Sequence, residues 1–410
     1  MRRTSAIPLA IAGALLLGAC APAFADPAVE RPAPSSADVP ALVEGINDAG
    51  LRLYLAARTD GENTALSPVS IGLAFGMADA GATGGVEQAI SDFFSFPATG
   101  EARLAAFNAL DQSLESDAEG KVLQIANRMY IDNEFEPRED YRVLLATYFG
   151  AGAETAPLAT DGEAAAAQIN TWISGKTNGL IKDLVTPAAF SDKSRVMLAN
   201  TVYMKADWDQ PFQAETTVDG AFTRLDGSTT TVPLMHQGQA AGEAAIGDGW
   251  VAATKPYLGG DSEMLIIVPD AGRFAEVEDA LPDVLDDIDG SLVQTPYGLT
   301  LPTFTVASKT DLRDVMESSL GVEGLFGVIG LDGIGDELLI NSAAHGVRVI
   351  VDEEGTEAAA ATVIGIDAGS APIAPELKVV ADHPFIYVIR DTQTGAIEFV
   401  GRVLDPSVED

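Results

Sequence analysis

Few residues in this chain could transfer a group or hold a metal. Its three histidines, His236, His345 and His383, are far apart and show no HExxH spacing. Cys20 is the single cysteine, which excludes thiolate metal sites, a catalytic thiol in the body of the chain and any intramolecular disulfide. No Gly-x-Ser-x-Gly elbow occurs. Gly175-Lys176-Thr177 has the ending of a phosphate-binding loop, but the required first glycine is replaced by Asn170. The tripeptide also falls at the expected end of a helix rather than at a strand-to-helix turn. Carboxylate groups such as Asp352-Glu353-Glu354 carry little weight in a chain with 61 acidic residues. These residues do not predict an enzyme, and no cofactor or metal is expected.

The segment that stands out does no acid–base chemistry. Residues 351–370 read VDEEGTEAAAATVIGIDAGS. As a helix this is sound only as far as Ala361, because Thr, Val and Ile follow and then Gly365. As a strand it offers almost no side chain to hold it in a sheet. It contains no proline before Pro372, so every residue up to there keeps the N–H that a β-ladder uses. Such a segment moves easily between conformations.

Composition bounds what could position it. The chain has 410 residues, 47% hydrophobic and 21% charged, enough to bury a large core. The net charge of −37 repels nucleic acid and anionic lipid, so neither is an expected partner. Acidic residues are scattered rather than blocked, which suits a solvated surface. At the N-terminus, Arg2 and Arg3 precede a short apolar stretch, IPLAIAGALLLGA, with the form of an export signal over residues 1–25. Leu17-Gly18-Ala19-Cys20 resembles a bacterial lipobox, with Cys20 as the lipidated residue. Ala23-Phe24-Ala25 before Asp26 fits ordinary signal-peptidase cleavage instead. The expected location is therefore the cell envelope, as a lipoprotein, or the extracellular medium, with membrane contact only through the lipid. Residues 26–40, rich in Pro, Ser and Ala, read as a flexible tether.

From about Ala41 the pattern is mixed helix and strand. Helical spacing runs through residues 41–58, again through 69–82 after Ser67-Pro68, and through 162–184 with an end near Asn178-Gly179. Strand signals occupy 121–132, 195–208, 263–270, 299–306, 346–352, 384–391 and 397–404. The last two are joined by TQTGA and predict a hairpin. Without regular βαβ alternation the expected class is α+β, in one domain over 41–408.

Several separated segments are similar to one family. Asn63-Thr-Ala-Leu-Ser-Pro-Val-Ser70, Ala199-Asn-Thr-Val-Tyr-Met-Lys-Ala-Asp-Trp-Asp-Gln-Pro-Phe212, Asp382-His-Pro-Phe385 and Thr394-Gly-Ala-Ile-Glu-Phe-Val-Gly-Arg-Val403 resemble serpin signatures in order and separation. The resemblance implies a single domain with three β-sheets, eight or nine helices and an exposed reactive loop, here at about 353–372. It also implies a suicide inhibitor of serine peptidases, acting as a monomer. A target peptidase forms an acyl-enzyme with the loop, which then inserts as a new central strand of the largest sheet. Reactive-loop insertion in serpins is itself a standard example of strand addition.

On that resemblance Glu353, Glu354, Gly355, Thr356, Glu357, Ala358, Ala359, Ala360, Ala361 and Thr362 form the hinge that enters first. Thr356, Ala358, Ala360 and Thr362 face the core on alternate positions and Glu357 faces out. At ~3.3 Å per residue, residues 355–370 make a strand about 50 Å long. Ser67, Ser70, Asn200 and His345 match the polar gate at mid-sheet, and Trp208 and Phe212 the aromatic patch at the insertion point. The family count from Gly355 puts the scissile bond between Gly369 and Ser370, with Ala368–Gly369 as the alternative. Small residues there suit an elastase-like or subtilisin-like pocket, and Asp367 would suit an aspartate-specific one. The absence of Arg or Lys from 352–370 leaves a trypsin-like enzyme nothing to read. The small hinge favours an inhibitor over the alternative, a non-inhibitory serpin that binds, stores or chaperones.

Overall fold

The structure, a computed structural model, describes residues 29–97, 99–114, 120–356 and 375–408. Helices α1 (Val39–Ala57), α2 (Pro68–Asp79), α3 (Gly84–Phe94), α4 (Glu101–Leu114), α5 (Glu139–Phe149) and α6 (Gly162–Lys176) fall in the first half. Then α7 (Phe274–Asp279), α8 (Leu281–Ser291) and the short α9 (Leu312–Asp314) complete nine among the described residues. Proline near the first turn starts α1, α2 and α8, where its missing N–H costs no helical bond. Every residue of α2 is buried. An apolar helix of this kind belongs in the centre, and it packs on α1 and on strands of two sheets.

Three sheets are present, as the resemblance implies. The largest has the order β12 (Phe304–Asp311), β13 (Ile340–Val351), β14 (Gly355–Thr356), β4 (Val196–Asp207), β2 (Lys121–Asp132) and β3 (Ala153–Ala156). A seven-stranded sheet runs β1 (Thr64–Leu66), β17 (Ile397–Val403), β16 (Phe385–Asp391), β9 (Ser262–Pro269), β8 (Trp250–Pro256), β7 (Glu243–Gly247) and β10 (Val293–Gln294). A four-stranded sheet runs β15 (Leu377–Val380), β11 (Tyr297–Pro302), β6 (Thr229–Ala240) and β5 (Val218–Thr223). β16 and β17 form the expected antiparallel hairpin.

The large sheet is covered on both faces. The main core, with α1 and α2, fills the space between it and the seven-stranded sheet. On the other face α6 buries Ile169 and Ile173 against Tyr130, Met197 and Ala199 of β2 and β4. β4 is buried on both sides and reads as a nearly continuous apolar run, whereas β2 leaves Gln124 exposed and Asn127 and Arg128 half-buried.

Two expectations are corrected. Residues 299–306 are not one strand. The chain leaves β11 at Pro302 and begins β12 at Phe304 in a different sheet, with Thr303 N–H donating to Pro233 O at 3.1 Å. An apolar pattern continues across such a sheet switch, so periodicity alone does not reveal it. The segment read as a tether is anchored at Arg31. Its guanidinium reaches Asp111 at 2.6 Å and also donates to Asn108 Oδ1 and Tyr148 O, while Pro32 O accepts from Asn108 and Gln112.

Candidate functional site

β13 and β4 run parallel and pair directly from Ile340↔Val196 to Val347↔Val202. Above that level they separate, and β14 lies between them, antiparallel to both, with Val351↔Thr356 on one side and Thr356↔Ala206 on the other. The six-stranded sheet therefore has a closed lower seam and a slot at its top that holds Gly355 and Thr356.

The turn that leads into the slot is fixed by backbone bonds. Asp352 Oδ1 accepts from the N–H groups of Glu354 at 2.9 Å and Gly355 at 3.2 Å. Asp352 N–H in turn donates to Gly355 O at 3.0 Å. Trp208 N–H donates to Glu354 O at 2.7 Å and Phe212 N–H to Glu353 O at 2.8 Å. Glu353 Oε1 accepts from Thr217 Oγ1 at 2.7 Å. A Cβ on Gly355 would lie 2.0 Å from Ala206 O, so only glycine allows the chain to enter this close to β4.

Thr356 is 2% exposed. Its Oγ1 shares a hydrogen bond of 2.7 Å with Tyr257 Oη, and the Tyr257 ring stacks on Trp208 with centroids 4.4 Å apart at 10°. Lys255 Nζ lies 4.3 Å from the Phe212 ring centroid and 5.1 Å from that of Trp208, and donates to Gln210 O and Gln237 Oε1. Burial pushes the Lys255 ammonium down to about 7. Trp208 thus touches this turn through its backbone and through its indole N–H, which donates to Asp352 O at 3.1 Å, and Phe212 touches it through its backbone.

The four residues expected to form the polar gate come together on the closed seam. His345 and Asn200 face each other in the β13–β4 register. The N–H of Ser67, at the start of α2, donates to His345 Nε2 at 3.0 Å. Nδ1 must then carry the proton, which it donates to Asn200 Oδ1. Asn200 Nδ2 donates to Ser70 O at 2.8 Å, and also to Ser70 Oγ and Asn127 Oδ1. Burial pushes the His345 imidazole down to about 3, so it is neutral. Among the described residues Ser67 Oγ has no partner.

Ser67, Ser70, Asn200 and His345 are thus brought together, with Trp208, Phe212, Glu353, Glu354, Gly355 and Thr356 at the slot above. Glu357, Ala358, Ala359, Ala360, Ala361, Thr362, Ala368, Gly369, Ser370 and Cys20 lie outside the described residues. Sequence reasoning missed Asn127, Tyr257, Lys255, Thr217 and Asp352. Asn127 left a weak signal, an amide in the middle of strand 121–132, three residues after Gln124. Tyr257 left none, because its role depends on a hinge 99 residues away. Among the described residues no three His, Cys, Asp or Glu side chains are grouped to hold a metal ion.

The family model described as serpin (serine protease inhibitor) matches residues 44–406. A serpin-like protein of Thermococcus kodakarensis is 33% identical, over 89% of this chain and 86% of that protein. Human (Homo sapiens) neuroserpin is 31% identical, over 88% of this chain and 91% of its own length. Among solved structures, Serpin48 of the insect Tenebrio molitor superposes with a TM-score of 0.80 at 25% identity, covering 90% of this chain and 98% of that one. The thermophilic serpin Tengpin gives 0.81 at 24% identity, covering 92% and 96%. The chain belongs to the serpin family.

Proposed function

We propose that this serpin is a covalent, loop-inserting inhibitor of serine peptidases with elastase-like or subtilisin-like preference. The observation that carries this reading is β14. Gly355 and Thr356 already occupy the position of an inserted strand, antiparallel to both neighbours, so further insertion needs no new direction of approach. Four small residues follow, Ala358 to Ala361, which can enter a closing sheet with little side chain to accommodate.

The chemistry belongs to the target enzyme. Its serine Oγ attacks the carbonyl carbon of Gly369, or Ala368 in the other register, and the peptide bond breaks. The carbonyl side stays as an ester on the enzyme, and the new amine of Ser370, or Gly369, departs on the C-terminal fragment. The chain's own part is speed. Insertion must carry the ester away before water hydrolyses it. His345 and Asn200 hold the seam that has to part, and each can exchange its cross-strand bond for one to the arriving strand.

Export through the N-terminal signal, with or without lipid on Cys20, places the inhibitor where extracellular peptidases act, and it works as a monomer. The test is a mixture with elastase or subtilisin, run on a denaturing gel. A band at the summed mass less the C-terminal fragment supports inhibition. Cleavage without such a band identifies a substrate and points to a non-inhibitory serpin. Mass spectrometry of the released peptide identifies the bond by its first residue.

A further inference from the structure

A second polar cluster is buried beneath the slot, between the two large sheets. Lys121 begins β2, Ser262 begins β9 and Glu398 lies in β17. Lys121 is 6% exposed, and the other two are fully buried. Lys121 Nζ donates to Ser262 Oγ at 2.6 Å, and Ser262 Oγ donates to Glu398 Oε1 at 2.8 Å. Nζ lies 3.7 Å from the same carboxylate oxygen. Among the described residues Glu398 Oε2 has no hydrogen-bond partner. A charge pair is costly to bury between apolar sheets, and neither the hinge nor the gate uses this one.

We propose that Lys121, Ser262 and Glu398 form a clasp between the two sheets that slows strand insertion while Glu398 is ionised and releases when it is protonated. The proposal rests on the insertion reading above and concerns its regulation. Insertion has to part β4 from β13 along the lower seam. β2 stays with β4, paired from Lys121↔Ala206 to Ile131↔Val196, so the two shift together. Lys121 sits at the slot end of that pair, since Ala206 is also the register partner of Thr356. Moving β2 across β9 and β17 strains a buried ion pair when Glu398 is charged. Protonating Glu398 removes its charge from the pair and lets the strand slide.

The surroundings favour a switch near neutral pH. Burial pushes the Glu398 carboxyl up to about 7, against the lowering effect of Lys121 and Ser262. The other charged neighbour is Asp391 at the end of β16, opposite Ser262 in register, which raises it further. Asp391 is itself held by the N–H groups of Gln393 and Thr394. Tyr257, behind Thr356, also faces Glu398, and burial holds its phenol well above its ordinary range, so it stays neutral. Lys255 titrates in the same pH window at the slot, so a pH profile alone does not identify the clasp.

The test measures annealing of a synthetic peptide, TEAAAATVIGIDAG, into the uncut full chain between pH 5.5 and 8.5, read by native-gel mobility and thermal stabilisation. No peptidase is needed, and the peptide's own acids do not titrate in this range. Wild-type protein should anneal roughly tenfold faster at pH 6 than at pH 8. Lys121→Met with Glu398→Leu, which replaces both partners by apolar groups, should anneal at the fast rate at every pH. Glu398→Gln should do the same with its shape kept. A flat wild-type profile overturns the clasp, as does a profile that persists in both variants, which would assign the pH step to Lys255. Failure to anneal at any pH overturns the insertion reading and the clasp with it.

Discussion

Replacing Thr356 by Arg tests the hinge where it is already engaged. The side chain is 2% exposed, bonded to Tyr257 and packed beside the Trp208–Tyr257 stack, so a guanidinium has no route to water while β14 stays in place. Losing the hydroxyl bond costs about 1 kcal/mol, and overfilling the site about 1–3 kcal/mol. An unpaired buried cation adds several more, and the Lys255 ammonium nearby worsens it. A total of about 5 kcal/mol corresponds to roughly three to four orders of magnitude in rate if all of it is felt during insertion. Half of it still shifts the competition between insertion and hydrolysis by roughly a hundredfold. The variant should therefore be cleaved as a substrate without trapping its peptidase. The assay is the yield of denaturation-resistant complex per loop cleaved, with Thr356→Val as the control that keeps size and loses only the hydroxyl. Val should stay within a few-fold of wild type. Complex at wild-type yield from Thr356→Arg would show that the inserting strand does not place residue 356 in this pocket.

Cutting the loop near Ala368 should raise the melting temperature by roughly tens of degrees, because the freed strand can complete the large sheet; an unchanged value after a verified cut contradicts insertion. Gly369→Arg should create measurable inhibition of trypsin by supplying the cation its acidic pocket reads, and Ala368→Arg should do better only if the cut falls one residue earlier. His345 gives a pH test of the gate. Its pKa is depressed to about 3 from 6.5, so its contribution to stability is full above pH 6.5 and is lost as pH falls toward 3. Denaturant melts should show the advantage of wild type over His345→Gln shrinking across that window, by at most about 5 kcal/mol. A constant difference from pH 7.5 to 4 would mean that His345 is not held neutral.

What the sequence disclosed depended on how local the cause was. α1 and α6 were legible from an apolar stripe, and α2 from an apolar run opened by Ser67-Pro68, because such signals act within a few residues. β4 was legible because both faces are buried, leaving a long apolar run, and β2 because β-branched and aromatic residues recur among its polar ones. The sheet switch at Pro302–Thr303 was not, since an apolar alternation looks the same whichever sheet receives it. The gate was named from resemblance, yet the imidazole tautomer and the part of Asn127 needed the fold, because they follow from register between strands far apart in sequence. The small residues of the hinge were visible in the sequence, while the depth to which Gly355 and Thr356 enter the sheet depends on Tyr257, Trp208 and β4. The clasp was invisible for the same reason. Lys121 and Glu398 are 277 positions apart in the chain, and each alone looks like one more surface charge in an acidic protein.

The strand directions explain why the closed form can hold free energy in reserve. β13 and β4 are parallel neighbours in the lower seam, and parallel ladders are slightly the weaker kind. A strand descending from β14 is antiparallel to both, so each step replaces one parallel contact by two antiparallel ones. On the proposed mechanism the closed seam survives because the better arrangement requires parting the gate first. The gate bonds of His345 and Asn200 are buried and fully made on the strand side, so opening exposes donors and acceptors before the new strand satisfies them. That ordering places the barrier at the seam rather than at the hinge. On the proposed mechanism, residues of the gate set how long the uncut protein lasts, whereas residues of the hinge set whether a cut loop wins its race against water.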